Sequence, residues 1–166
     1  YSGSLERLGV SRNLDFILDS FADKRLSSFT LKVFGGTKKQ IDRLNKKYKH
    51  VKNISLNEHI SKKNLAQELA NSEIGILASS NDEFSKFHTN PLKYYEYCAS
   101  GLKIVATDFP AHRNLNQHKN IFYFRDQDNE SFINAVITSN KNVEEIQIGY
   151  LETMDSRVKN IINFIT

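Results

Sequence analysis

Short apolar segments alternate with longer amphipathic segments along this chain, and that alternation limits the fold more than any other feature of the sequence. We interpret residues 29–34, 51–56, 74–78, 103–107 and 121–124 as strands, because they concentrate β-branched, aromatic and other apolar residues. Several of these segments are apolar at consecutive positions, so both faces of each strand should be buried. Strands of that kind, separated by helices, predict an α/β fold with a parallel sheet, helices on both faces and right-handed crossovers.

The segments between the predicted strands carry apolar residues three and four positions apart, which is the spacing of one helix face. The predicted helices include residues 14–21, 41–48, 65–70 and 132–137, and residues 143–165 are expected to be helical as well. Asp128 or Asn129 is a suitable N-cap for the helix that follows. Ligands of parallel sheets bind beyond the carboxyl ends of the strands, so functional residues are expected in the loops between each strand and the next helix.

The composition excludes several other classes of protein. The chain has 166 residues, of which 39% are hydrophobic and 25% charged, and it has only two prolines, so we expect one globular domain over residues 1–166. Its one cysteine, Cys98, excludes a disulfide framework and a multi-cysteine zinc site. No apolar run approaches the ~20 residues that a membrane span needs, and no secretion leader stands at the start, so we expect a cytoplasmic protein.

The net charge of +4 is unevenly distributed, because nine Lys and Arg residues but only Asp42 and Glu58 fall between Lys38 and Lys63. Such a basic run either binds nucleic acid, anionic lipid or phosphate, or is simply a solvated helix face. Aromatic residues do not alternate with these lysines as base stacking requires, so no nucleic-acid partner is expected.

The segment from Ser79 to Thr107 is the most informative part of the sequence. It reads as the end of a strand, a polar loop, a helix that starts near Pro91, a glycine at position 101 and a further strand. Proline suits the first turn of a helix, and glycine suits the residue after its last turn.

Glu96 stands out on this predicted helix. The helical spacing puts it on one face with Leu92, Tyr95 and Ala99, so we expect a carboxylate on an apolar face, where it needs hydrogen-bond partners. Two partners fit the pattern: Lys93, three residues earlier, or the hydroxyl groups of a bound ligand such as a ribose.

Residues 88–108, HTNPLKYYEYCASGLKIVATD, resemble the donor-binding signature of GT-B glycosyltransferases of the group 1 (family 4) type. That signature is Glu, seven residues, Glu, and then Ala-x-Gly-x-Pro-Val-Val-Ala-Ser/Thr. Residues 1–5, 31–36 and 73–77 are similar to earlier motifs of the same domain, so the resemblance covers most of the chain in order. It implies a Rossmann-like parallel sheet that is the C-terminal half of a GT-B fold. The acceptor-binding N-terminal half would belong to a longer protein.

The resemblance implies that several residues bind a nucleotide sugar, which we expect to be UDP-linked. Glu96 matches the second glutamate, which holds the ribose hydroxyls in the family. His88 stands where the first glutamate belongs, and it is either a ligand of the sugar or a loop histidine without a role. The residues implied to contact the sugar and the diphosphate at the start of the helix are Thr89, Asn90, Pro91 and Leu92.

The family usually places an Arg and a Lys after the first strand to neutralise the diphosphate. Here the corresponding loop begins at Gly3, and Ser4 stands at the usual Arg position. Arg7 or Arg12 is therefore expected to supply the catalytic positive charge, unless both are surface residues.

Two further loops follow predicted strands. Gly35 and Gly36 form either a loop that approaches a phosphate or a plain tight turn. His59 lies in the next such loop, which the resemblance places near the nucleotide base.

Asp126 and Asp128 form an Asp-x-Asp pair, a pattern that binds a divalent metal in another glycosyltransferase fold. Because Asp128 directly precedes a predicted helix, we expect it to cap that helix, and we expect neither a metal nor a cofactor. No nucleophile elbow or phosphate-binding P-loop is present in the sequence, and Cys98 is expected to pack as a small apolar residue.

Together these features predict the donor domain of a retaining glycosyltransferase. It would transfer a hexosyl group from a nucleoside diphosphate sugar to a glycan or lipid-linked acceptor in surface polysaccharide biosynthesis, and the isolated domain should be inactive. The implied partners are the nucleotide sugar, the acceptor-binding domain and, through the basic run, the inner face of a membrane. The alternatives are a non-catalytic flavodoxin-like binding or regulatory module, and half of a sugar-nucleotide epimerase.

Overall fold

Strands and helices alternate in the computed structural model, which describes residues 1–7, 10–11, 13–115 and 120–142. The strands are β1 Glu6–Arg7, β2 Val10–Ser11, β3 Leu31–Gly36, β4 Ile54–Glu58, β5 Ile74–Leu77, β6 Lys103–Thr107 and β7 Ile121–Phe124. The helices are α1 Leu14–Ser20, α2 Lys38–Lys47, α3 Lys62–Ala70, α4 Glu83–Phe87, α5 Leu92–Ala99, α6 Pro110–Arg113 and α7 Asn129–Lys141, with a 3₁₀ turn at Lys24–Leu26. The helix predicted over residues 143–165 lies outside the described residues.

All five predicted strands are found, and every pairing among them is parallel. β3 pairs with β4, and β5, β6 and β7 form a second sheet in that order, with Ile76 opposite Val105 and Ala106 opposite Tyr123. The antiparallel pair β1–β2 was not predicted, because strands of two residues are too short to show a periodicity. The α/β prediction is therefore confirmed, with the parallel strands in two sheets.

The first three residues lie between the two sheets. The Phe34 amide of β3 donates to the Tyr1 carbonyl (3.0 Å), and the Gly3 amide donates to the Phe34 carbonyl (2.9 Å). On the other side, the hydroxyl of Tyr97 lies 3.2 Å from the Ser2 amide and 3.4 Å from the Ile76 carbonyl of β5. Residues 1–3 therefore approach the sheets as the end of a further parallel strand does, and they lead into the loop at Gly3.

Local sequence signals explain where several helices begin. Side chains accept a hydrogen bond from the third helical amide at the starts of α2, α3, α4 and α7, and these caps are Thr37, Ser61, Asp82 and Asp128. Thr37 and Gln40 form a full capping box. The predicted capping role of Asp128 is confirmed by its 2.9 Å contact with the Ser131 amide. The short helices α4 and α6 were not predicted, since neither is long enough for an apolar stripe.

Helices cover both faces of the β5–β6–β7 sheet. Ile104 and Ala106 of β6 pack with α5, in a cluster that includes Tyr94, Tyr97 and Cys98. Val105 points to the opposite face and packs in the cluster that contains Phe132 of α7. The predicted apolar role of Cys98 is confirmed, and burial raises the pKa of its thiol. No helix in the described ranges is both long and apolar enough to cross a membrane.

Candidate functional site

Two cavities lie side by side where β3 and β5 end. Cavity A has a volume of about 450 Å³ and is lined by Ser79, Ser80, Phe84 and residues 88–93, among others. Cavity B has a volume of about 310 Å³ and is lined by Gly35, His59, Ile60 and Leu65, among others. The residues that line both cavities are Ser2, Gly3, Ser4 and Lys93.

A larger cavity of about 520 Å³ lies at the opposite edge of the sheets. Its walls include residues 28–32 before and within the start of β3, and residues 71–76 before and within β5. Parallel sheets bind ligands at the carboxyl ends of their strands. We therefore take cavities A and B, and not this one, as the candidate site.

The wall between the cavities requires glycine at two positions. Gly35 has a φ of +124°, and a Cβ there would lie 2.2 Å from the Gly3 carbonyl oxygen. Gly3 has a φ of +131°, and a Cβ there would lie 3.3 Å from Cε of Lys93. The structure thus brings these two predicted residues together, and their lack of side chains leaves backbone accessible to a ligand. Ser4, which is exposed, continues the same wall.

Tyr97 holds this wall in place through Ser2, and the sequence alone does not identify it as a residue of the site. Its hydroxyl contacts the Ser2 amide at 3.2 Å and the Ser2 hydroxyl at 3.3 Å. Its ring occupies the space next to Gly75, where a Cβ would lie 2.5 Å from Cδ2 of Tyr97. An isolated glycine within a predicted strand often marks such a close approach, and Gly75 was the available signal.

The predicted sugar-contacting residues lie on one side of cavity A. His88 is exposed and directly follows α4, with its ring centroid 6.1 Å from that of Phe84. The Thr89 hydroxyl donates a hydrogen bond to the Ser85 carbonyl (2.9 Å), and this hydrogen bond stabilises the end of α4. Asn90 is exposed, and 76% of Leu92 is exposed. The structure therefore brings the predicted residues 88–92 together at one cavity.

The first turn of α5 also faces cavity A. Pro91 is the N-cap residue and offers no side-chain cap. The Tyr94 amide, third in the helix, donates to the Pro91 carbonyl (2.9 Å), whereas the amides of Leu92 and Lys93 before it receive no side-chain cap. Amides at a helix N-terminus attract anions because they are free donors at the positive end of the helix dipole. The predicted helix start near Pro91 is confirmed. The predicted glycine stop is also confirmed, because Gly101 has a φ of +70°.

The predicted environment of Glu96 is wrong. Tyr94, Tyr97 and Cys98 form the buried face of α5, whereas 42% of the Glu96 side chain is exposed. One carboxylate oxygen of Glu96 lies 2.8 Å from Nζ of Lys93, which is the pairing that the spacing had offered as the alternative to a ligand. The face with Tyr95 and Glu96 remains partly open because α5 packs on the sheet through its other tyrosines. Glu96 is absent from the lining of both cavities, although its partner Lys93 lines both.

Cavity B contains the predicted His59 but not Gly36. The His59 amide donates to the Gly36 carbonyl (3.1 Å), and Nδ1 of the His59 ring lies 2.7 Å from the Ile60 carbonyl oxygen. Gly36 is buried in β3, where a Cβ would lie 2.6 Å from Cδ1 of Ile41. The predicted place of Gly36 at the ligand is therefore corrected: its missing side chain makes room for the core.

The two predicted arginines are not brought to the cavities by any described contact. Arg7 lies in β1, opposite Val10, and only its backbone is described. Arg12 lies outside the described residues. Their predicted role at the diphosphate remains a prediction.

His112 ties together the strand ends behind cavity A. It is fully buried, with Nδ1 2.7 Å from the Thr107 carbonyl oxygen and Nε2 3.1 Å from the Ser79 hydroxyl. Burial lowers the pKa of this imidazole, because the charged form would lose its hydration. The neutral ring fits both contacts, with Nδ1–H as donor and Nε2 as acceptor.

Both carboxylates of the Asp-x-Asp pair bind other residues of the protein. Asp126 accepts hydrogen bonds from Asn13 (2.7 Å) and Asn81 (2.6 Å), while Asp128 caps α7 and pairs with Arg125 (2.6 Å). Within the described parts of the chain, no group of three His, Cys, Asp or Glu residues is arranged to hold a metal ion.

Comparison with solved structures gives the same fold. The structure of TarM is similar with a TM-score of 0.68 at 12% identity, and the match covers 100% of this chain and 34% of that one. The pneumococcal O-GlcNAc transferase GtfA, solved with UDP and GlcNAc, has a TM-score of 0.58 at 17% identity over 98% of this chain and 31% of that one. This chain thus spans about a third of the length of these two proteins.

A third similar structure is the catalytic domain of a cholesterol-α-glucosyltransferase from Helicobacter pylori. Its TM-score is 0.62 at 11% identity, and the match covers 98% of this chain and 96% of that one. A search of the curated proteins finds no match.

The sequence also matches the family model described as "Glycosyl transferases group 1", over residues 1–142. This match favours the glycosyltransferase interpretation over a flavodoxin-like regulatory module or an epimerase half. The chain belongs to the group 1 glycosyltransferases and has the Rossmann-like GT-B fold.

Proposed function

We propose that this chain is the donor-binding domain of a retaining glycosyltransferase and that its donor is a UDP-linked hexose. The acceptor would be a hydroxyl group of a glycan or a lipid-linked saccharide, in the synthesis of a surface polysaccharide. The observation that carries the proposal is the pair of cavities that share one glycine wall at the carboxyl ends of β3 and β5.

The two cavities suit the two ends of a nucleotide sugar. Each volume lies near the lower end of the ~300–1,000 Å³ range of small-molecule sites. We assign the sugar to cavity A, where His88 and Asn90 offer polar side chains, and the nucleoside to cavity B, beside His59. The diphosphate would then cross the wall at Gly3 and Ser4.

The chain contributes binding and charge stabilisation in this proposal. The amides of Leu92 and Lys93 at the start of α5, which no side chain caps, would stabilise the negative charge that develops on the leaving diphosphate. Polar groups at residues 88–90 would hold the sugar ring in position for attack by the acceptor. The second domain expected from the family would supply the acceptor site and close the cleft.

The similar solved structures support this choice of donor. One was solved with UDP and GlcNAc, and another is the catalytic domain of a glucosyltransferase. The latter structure has almost the same extent as this chain, so binding experiments on a domain of this size are practical.

The basic run from Lys38 to Lys63 supports a peripheral association with the inner face of a membrane, in the cytoplasm. Lys38, Lys39 and Lys46 are exposed on α2, so they are accessible to anionic headgroups. Sedimentation with anionic and neutral vesicles tests this part of the proposal. Equal binding to both vesicle types would contradict it.

Titration with UDP, GDP and ADP, measured by calorimetry and by NMR shifts, tests the donor assignment. We expect UDP to bind at millimolar concentrations or tighter, and Glu96→Ala to weaken it. Glu73→Ala is the matched control, because Glu73 is an exposed carboxylate at the opposite edge of the sheets. The proposal fails if none of the three nucleotides binds. The anomeric configuration of the product, read by NMR with the two-domain enzyme, tests retention.

A further inference from the structure

We propose that Lys93 is the cation that neutralises the donor diphosphate in this protein, in place of the basic residues expected near Ser4. In the structure Lys93 pairs with Glu96, and in this proposal the two residues exchange partners when a nucleotide binds. This inference rests on the proposed function, because it assigns a residue to the diphosphate of the same ligand.

Lys93 lies where a diphosphate would cross between the two cavities. Lys93 is one of four residues that line both cavities, and the other three belong to the segment Ser2–Ser4. Its Cε lies 3.3 Å from the place where a Cβ of Gly3 would be, so its stem lies across the wall itself. A group that joins a nucleoside in cavity B to a sugar in cavity A has to pass this side chain.

The positive charge of Lys93 also suits a diphosphate. Among the described side chains that line the two cavities, Lys93 is the only lysine or arginine. The neighbouring Ser4 is neutral, although it stands where the family places an arginine. A diphosphate carries at least two negative charges. The lysine ammonium is a compact positive charge on a flexible stem, and it binds phosphate well. Lys93 therefore supplies a positive charge that no other described lysine or arginine brings to these two cavities.

The ion-pair partner of Lys93 is a group that a diphosphate can displace. Nζ of Lys93 donates to the Glu96 carboxylate at 2.8 Å, with 28% of the lysine and 42% of the glutamate side chain exposed. A partly exposed pair between residues three apart on one helix is weak, so a diphosphate can replace the carboxylate at little cost. Glu96 is then released to accept hydrogen bonds from the ribose. Binding of the ribose and of the diphosphate should therefore be coupled through this one pair.

The test compares ligands that differ in their parts: inorganic pyrophosphate, uridine and UDP, with GDP or ADP in place of UDP if either binds more tightly. Lys93→Met keeps the apolar stem and removes the charge. We expect it to weaken pyrophosphate and UDP by roughly tenfold or more, the usual effect of a charge-assisted hydrogen bond. Uridine should bind as tightly as to the wild type or more tightly, because the substitution also releases Glu96 from its ion pair. Lys141→Met, which removes the charge of an exposed lysine in the last turn of α7, is the matched control and should change none of the three affinities.

Glu96→Gln gives an independent readout of the exchange. Removing the competing carboxylate should leave pyrophosphate binding as tight as in the wild type or tighter. UDP also loses a ribose contact, so its affinity relative to that of pyrophosphate should fall, and an unchanged ratio would contradict the exchange. Circular dichroism and thermal unfolding of each variant check whether the fold is retained.

The outcomes separate the two levels of the proposal. If UDP binds to the wild type but Lys93→Met binds UDP and pyrophosphate within about twofold of the wild type, the assignment of Lys93 is wrong and the proposed function stands. An equal loss of uridine and UDP affinity in Lys93→Met would indicate a structural role and would also overturn the assignment. If the wild type binds no nucleoside diphosphate, the proposed function fails first.

Discussion

The contact between Gly75 of β5 and the ring of Tyr97 of α5 leads to the sharpest prediction about the architecture of the site. A Cβ at position 75 would lie 2.5 Å from Cδ2 and 2.6 Å from Cγ of Tyr97, closer than such atoms approach in proteins. The Tyr97 ring is fully buried and its hydroxyl is bound to Ser2, so it cannot move aside without releasing the wall between the cavities. We expect Gly75→Ala to destabilise the fold.

Each single substitution has an expected magnitude. Gly75→Ala overpacks the contact, which typically costs about 1–3 kcal/mol in the free energy of unfolding. Tyr97→Ala leaves a cavity and removes the hydroxyl contacts, and we expect a loss of about 3–5 kcal/mol from the cavity.

The double variant should show a change of sign. Once Tyr97 is alanine, the collision is gone, and Gly75→Ala only restricts the unfolded chain, which typically stabilises by about 0.4–1 kcal/mol. Position 75 is not in the left-handed region, so alanine suits its backbone. Gly75→Ala is therefore expected to destabilise the wild type and to stabilise the Tyr97→Ala background.

Urea unfolding of the four proteins, followed by far-ultraviolet circular dichroism, measures this cycle, with equal m-values as a check on two-state behaviour. Gly101→Ala is the control: its backbone is also special, with φ +70°, but nothing lies within 4 Å of its Cβ position. It should have the same effect with and without Tyr97. The reasoning is refuted if Gly75→Ala has the same effect in both backgrounds.

Two further predictions concern the same region. Burial lowers the pKa of His112 from its ordinary 6.5. The unfolded chain therefore binds a proton at His112 more tightly than the folded chain does. The free energy of unfolding should fall as the pH drops below about 6.5. Urea unfolding between pH 7.5 and 5.5 should show a smaller slope in His112→Gln, and an unchanged slope would contradict the assignment. Gly35→Ala should cost about 1–3 kcal/mol, because its φ of +124° and the 2.2 Å approach to the Gly3 carbonyl exclude a side chain. The same denaturation assay checks this, and UDP affinity should fall with it, whereas a neutral effect would mean that the wall between the cavities is not tight.

The alternation of strands and helices could be predicted because it depends on local patterns. Continuous apolar runs such as residues 103–107 identify strands that are buried on both faces, and Thr37 and Asp128 are local caps. Turns that need a positive φ are also visible in the sequence, because they favour glycine, as at Gly35 and Gly101. Predicted residues 88–92 did meet at one cavity, because they are neighbours in sequence and follow one strand.

The orientation of α5 could not be predicted from its own sequence. Aromatic residues lie on two of its faces, Tyr95 beside Glu96 and Tyr94 beside Tyr97, so the periodicity alone allows either face to be buried. The choice depends on the sheet, because the ring of Tyr97 occupies the space that Gly75 leaves beside β5. That choice put Glu96 on the half-exposed face, opposite to the prediction.

The sequence by itself determined the order and type of the elements, the loops where a ligand could bind and the family to which the chain belongs. Only the tertiary structure decided that Lys93 meets Gly3 and that Tyr97 supports Ser2, 95 residues away. Local patterns depend on interactions between near neighbours in the chain, and these are readable in a single sequence. Contacts across such distances depend on how whole elements pack, and a shape such as the space beside Gly75 exists only after they have done so.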